Sequence, residues 1–192
     1  MSIITNNRES RVMIFIDLRN IVSSVAMTQS FPFKTDFYSL ARLLAGQRNV
    51  LAAYVFDGTM GDDEDSAART RKFHDYLRYN GFRVVERNSV EGREQKEVDV
   101  AMACEMVVHA LKDNYDVAIV ISGDRDFVPA IQHVQSAGKI VEVAAFRTSA
   151  SEELRRTADK YIELESLPIL TMFNKVEDVT RIIITDEEGA SE

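Results

Sequence analysis

The chain has 192 residues, 45% of them hydrophobic and 28% charged, enough for one soluble domain with a full core. Its net charge of −8 argues against a generic DNA-coating protein. Its single cysteine, Cys104, excludes a disulfide within the chain and a cysteine-rich zinc site.

Residues 1–10 read as a polar arm; MSIITNNRES lacks the apolar core of a signal peptide. Nowhere does an apolar run approach the about 18 residues of a membrane span, and the single cysteine fits the reducing cytoplasm expected for this chain. Arg11 to Ile16 reads as a buried strand that Asp17 ends. A helix from Leu18 to about Met27 begins at once and places Asn20 one turn after Asp17. After a loop with Pro32, Asp36 can cap a helix whose apolar face includes Phe37, Leu40, Ala41 and Leu44 and which Gly46 closes. Val50 to Phe56 is a second strand running into Asp57, which the acidic loop beside it marks as solvent-exposed. A helix from about Ser66 to Asn80 turns Phe73, Tyr76 and Leu77 inward and stops at Gly81, before a short strand from Phe82 to Val85.

Arg87 to Lys96 is polar and reads as a loop. Val98 to about Lys112 forms a helix so apolar that two of its faces are expected to be buried, with Cys104 in the core. Val117 to Ile121 suits a central parallel strand. It is followed by Ser122, Gly123, Asp124 and Asp126, then by a helix from Phe127 to Ala137 with Pro129 in a first turn that does not need its missing N–H. A fifth strand spans Ile140 to Ala145, a short helix Glu152 to Thr157, and Tyr161 to Leu164 is an edge-strand candidate. The division expected is an arm (1–10), a domain (11–167) and an acidic extension (168–192) in which Arg181 to Thr185 stands out as orderable. From Arg69 to Lys96 the chain is locally basic, read either as a binding face or as a solvated helix face.

Strands alternating with helices give an α/β fold with a mainly parallel sheet of five or six strands. Right-handed crossovers then put every strand's carboxyl end on one rim, where such folds bind ligands. Asp17, Asp124 and Asp126 lie at two of those ends, and Asp99 sits in the first turn of the helix before the fourth strand. Carboxylates sharing a cleft repel unless cations or protons neutralise them. Hard oxygen donors select Mg²⁺ or Mn²⁺, and such ions activate water against a phosphodiester. The competing reading makes Asp126 a plain helix N-cap. Asn20 is either a neutral ligand or phosphate orienter, or a helix-turn hydrogen-bonding residue. His74, His109 and His133 are isolated and read as structural. Ser122 lies in no G-x-S-x-G elbow, and neither a P-loop nor G-x-G-x-x-G is present.

Three segments, FIDLRN (Phe15–Asn20), KEVDVAMACEM (Lys96–Met106) and VISGDRDFVPAI (Val120–Ile131), resemble the motifs of the NYN, or LabA-like, branch of PIN-like ribonucleases. The resemblance extends over roughly residues 11–165, through GKIVEV and ADKYIEL. It implies a three-layer Rossmann-like fold with strand order 3-2-1-4-5 and a metal-dependent ribonuclease. Carried over singly, Asp17, Asn20, Asp99, Asp124 and Asp126 match the family's acidic site, the four aspartates as catalytic metal ligands. One departure is Glu105, where the family commonly shows Asp; it stands about 120° round the helix from Asp99.

The leading expectation is therefore a Mg²⁺- or Mn²⁺-dependent endoribonuclease, with Asn20, Ser122, Arg93 and Lys96 meeting the RNA. The runner-up is a catalytically silent regulatory or protein-interaction module that keeps the acidic pocket. A Toprim-like DNA enzyme is a third option, although that class places a glutamate where this chain has Asp17. A homodimer, and a protein partner reached through the acidic tail, both stay open.

Overall fold

The computed structural model describes residues 10–28, 36–58, 64–87 and 94–167. Its strands are β1 (Arg11–Asp17), β2 (Asn49–Gly58), β3 (Arg83–Arg87), β4 (Val117–Ile121), β5 (Ile140–Ala145) and β6 (Lys160–Glu163). Its helices are α1 (Leu18–Thr28), α2 (Phe37–Ala45), α3 (Glu64–Tyr79), α4 (Glu94–Leu111), α5 (Val128–Ser136) and α6 (Glu152–Thr157). All six strands join one sheet in the order β3-β2-β1-β4-β5-β6, and every neighbouring pair is parallel.

β1 and β4 take the centre because their side chains are buried on both faces of the sheet. From β1 the chain steps outward to β2 and β3, then α4 carries it back to β4 on β1's other side. Strand order thus reverses between β1 and β4, and the pairing of Ile16 with Ile121 aligns their carboxyl ends.

Alternation along β1 supplies two cores. Val12, Ile14 and Ile16 pack with Ile21 of α1, Leu40 of α2 and Leu77 of α3. Met13 and Phe15 pack on the other face with Met102 and Met106 of α4, Ile131 of α5 and Leu154 of α6. Each such fully buried side chain contributes about 1.5–3 kcal/mol of transfer free energy. The first core also encloses a charged pair: the Arg48 guanidinium donates to both Glu142 carboxylate oxygens at 3.0 and 2.9 Å.

Local signals operate as read. The Asp36 carboxylate accepts from the Ser39 N–H at 3.0 Å, capping α2. Gly46, with φ 62°, and Gly81, with φ 86°, take the left-handed backbone that ends α2 and α3. One reading changes: α4 begins at Glu94, inside the segment expected to be a loop. The edge strand expected from Tyr161 is present, starting one residue earlier at Lys160, and makes the sheet six-stranded. The N-terminal arm, the Pro32 loop and the acidic extension lie outside the described residues.

Candidate active site

The carboxyl ends of β1 and β4 are laced together by short polar side chains. Asp17 is the last residue of β1 and is only 1% exposed. One of its carboxylate oxygens accepts from the Asn20 N–H at 3.1 Å, and the other accepts from the Ser122 hydroxyl at 2.9 Å. The Ser122 oxygen in turn accepts from the Asp124 N–H at 3.2 Å. Asn20 closes the circuit, its side-chain oxygen accepting from the Gly123 N–H at 2.9 Å. Asn20 is therefore a clamp between two distant segments as well as a first-turn residue.

Ser122, expected at the substrate, is instead fully buried, with its hydroxyl committed to Asp17 and to the Asp124 backbone. The loop after β5 presses on the same turn: a Cβ on Gly123 would lie 2.6 Å from the Ser149 carbonyl oxygen. The Ser151 N–H also donates to the Gly123 carbonyl at 3.2 Å.

Asp124 caps the turn that follows. Its carboxylate accepts from the Asp126 N–H at 2.9 Å, at the head of a 3-10 turn, Arg125–Phe127, that leads into α5. The capping role considered for Asp126 thus belongs to Asp124, two residues earlier, as an Asx turn. Asp126 is an exposed acid of that first turn. Asp99 is half-buried on α4, which packs against the 3-10 turn. Arg93 and the side chain of Lys96 lie outside the described residues.

Burial pushes the Asp17 carboxyl above its ordinary pKa. The Asn20 and Ser122 hydrogen bonds oppose the shift, and the charges of Asp124 and Asp57 add to it. The Asp17 carboxyl therefore feels the charge of Asp124. Among the described residues, however, no three His, Cys, Asp or Glu side chains are grouped so as to hold a metal ion. The side-chain donors at this rim are all oxygens, the donor type that hard cations take.

Asp57 lies at the end of the second strand as expected but is buried, not solvent-exposed. At the end of β2 it is buried beneath α3, and its carboxylate lies 2.8 Å from His74 Nε2. His74 Nδ1 approaches Glu86 at 3.0 Å without hydrogen-bond alignment, and Arg78 pairs with Glu86. His74 is structural but not isolated. Burial lowers its pKa, and the Asp57 bond with the charges of Asp57 and Glu86 more than reverses this, so it stands above the ordinary value. The sequence signal was an acid at a strand end beside a helical histidine, and the intervening acidic loop concealed it.

Glu105 is paired with His109 one turn along α4, at 3.2 Å. His109 in turn contacts the Tyr54 hydroxyl at 3.0 Å. Cys104, expected in the core, is exposed.

The NYN domain family matches residues 11–165. The chain belongs to that family. NYN domains are members of the PIN-like nuclease superfamily, and the parallel sheet with helices on both faces agrees with that fold. A search of curated proteins gave no match. Among solved structures, this NYN domain is similar to a protein of unknown function from Vibrio parahaemolyticus, with TM-score 0.68 and 20% identity. That match covers 85% of this chain and 98% of the other, and it bears on the fold alone. A structure from Parabacteroides merdae, with TM-score 0.33 and 13% identity over 83% of this chain and 32% of that one, is too distant to bear on function. None of the described helices is long and apolar enough to cross a membrane.

Proposed function

We propose that this NYN domain, of the LabA-like branch, is a cytoplasmic endoribonuclease that hydrolyses RNA phosphodiester bonds with Mg²⁺ or Mn²⁺. The observation that carries the reading is the buried Asp17 carboxylate at the strand-order reversal, with its pKa raised by burial and by the acid Asp124. A buried anion next to another anion is costly in the bare protein and becomes favourable beside a cation.

Asp17 and Asp124 would hold the ion, with Asp99 and Asp126 as further acidic ligands. Bound there, the cation would supply an activated water and offset charge on the phosphate. Asn20 and Ser122 hold Asp17 and the Gly123–Asp124 turn in register, so that both carboxylates keep their positions as charge changes. Arg93 and Lys96, near the start of α4, are the proposed phosphate contacts.

The test is cleavage of end-labelled single-stranded RNA with Mg²⁺ or Mn²⁺, using wild type, Asp17→Asn and Asp124→Asn. Cleavage that needs the ion and is lost in both variants supports the proposal. No cleavage by wild type, or equal cleavage by the variants, overturns it. A second reading, a silent interaction module, is favoured by one observation: among the described residues the acids are not grouped to hold a metal.

A further inference from the structure

Helix α4 carries two apolar stripes, and the described residues cover one of them. Val98, Met102, Met106 and Ala110 follow one another at four-residue spacing and are buried against the sheet. Offset by two residues, Val100, Cys104 and Val108 repeat the same spacing, and Leu111 completes the row. Val100 is 62% exposed and Leu111 72%, and Cys104 and Val108 are exposed as well. Cys104 lies about 180° round the helix from the centre of the buried stripe, so it points straight outward. A surface helix normally sets charged residues on that side. A contiguous apolar face there marks an interaction site.

The charges at its ends indicate what covers it. Exposed Glu97 stands at the amino end of the row and exposed Lys112 just beyond its carboxyl end, about 22 Å apart at 1.5 Å per residue. Among the described residues neither makes an ion pair. A second α4 laid antiparallel across a two-fold axis sets each Glu97 against the other copy's Lys112. A parallel arrangement would oppose like charges. The same register stacks the Val100–Val108 stretch on itself, as an isologous interface requires.

We propose that the outward face of α4 is a homodimer interface, with a second copy of this chain packed antiparallel about an axis beside Cys104. The proposal stands apart from the nuclease reading, because the face uses none of the residues of the Asp17–Asp124 circuit. Helix axes about 8–10 Å apart, with Cα atoms at about 2.3 Å radius, bring facing Cα atoms to about 3.4–5.4 Å. The wider half of that range reaches the roughly 4.4–6.8 Å that a disulfide bridges. One helix pair falls short of the roughly 800 Å² per partner of a standard stable interface, so the dimer is expected to be weak and concentration-dependent.

Sedimentation equilibrium of the full chain over a range of concentrations, in reductant, tests this directly. A monomer–dimer equilibrium is expected that Val108→Glu abolishes. Glu97→Lys should weaken it and Glu97→Lys with Lys112→Glu should restore it, and mild oxidation of wild type should trap a Cys104 disulfide dimer. A dimer indifferent to Val108→Glu, or one that the double charge reversal fails to restore, would overturn the arrangement. So would a monomer at every concentration. If that monomer's Cys104 resists alkylation until residues 174–192 are removed, the face belongs instead to the chain's own tail.

Discussion

Replacing Asp124 in the metal-free protein separates its charge from its capping bond. Asn caps a helical turn as well as Asp does, so Asp124→Asn keeps the acceptor for the Asp126 N–H and removes the charge near Asp17. Asp124→Ala removes the bond as well, at about 1 kcal/mol. For a domain of this size that is about 2–4 °C in Tm. Against the Asn variant stands the loss of an anion at a helix N-terminus, at the small end of about 0.3–1 kcal/mol for so short a turn. In its favour is the relief of Asp17, where each pKa unit is worth about 1.4 kcal/mol. A carboxyl whose folded pKa is raised binds more protons folded than unfolded, so its penalty grows as pH rises from the ordinary Asp value through the folded one. Asp124→Asn should therefore melt at or above wild type at neutral pH and lose that advantage in acid, while Asp124→Ala melts below wild type. Thermal unfolding by circular dichroism in chelator at several pH values reads this out. An Asn variant that falls as far as the Ala variant, or gains on acidification, would refute the electrostatic reasoning.

Three further outcomes follow from particular contacts. Gly123→Ala should cost about 1–3 kcal/mol as the Ser149 backbone is forced away from the new Cβ, and should weaken the Asn20 bond, seen as a lower Tm with reduced cleavage. Glu142→Ala should destabilise by about 3–5 kcal/mol in denaturant titration, because it leaves the Arg48 guanidinium buried without its carboxylate. For His74 the folded pKa is raised, so its contribution is complete below the unfolded value of about 6.5 and is lost as pH rises through the folded one. His74→Gln should flatten that fall in stability above neutral pH, and an NMR titration of the imidazole should place its midpoint above the ordinary value.

Where local chemistry decides the backbone, the sequence was legible. β5 and α6 fall at the residues expected, since a β-branched run and a Ser151 cap before two glutamates define them without help from elsewhere. The strand ends also placed Asp17 and Asp124 beside each other once β1 and β4 were recognised as central. What escaped depends on contacts across the fold. Asp57 looked exposed because its burial comes from His74, a helix away in sequence. The start of α4 was missed because Glu94 to Glu97 has no apolar period to reveal a helix. α4's second stripe was read as core because apolar content reports an affinity for burial and cannot say whether this chain supplies the cover. Asp126 was weighed as the cap, whereas a two-residue Asx turn gives that task to Asp124.

The most direct test of a cation at the acidic rim is a Mn²⁺ titration followed by melting temperature, with wild type beside Asp124→Asn. An ion that binds only the folded protein stabilises it by about 2.7 kcal/mol at a hundred times its Kd. For a domain of this size that is roughly 5–10 °C. The account predicts that wild type rises by such an amount and Asp124→Asn stays flat. A rise of equal size in Asp124→Asn would contradict it.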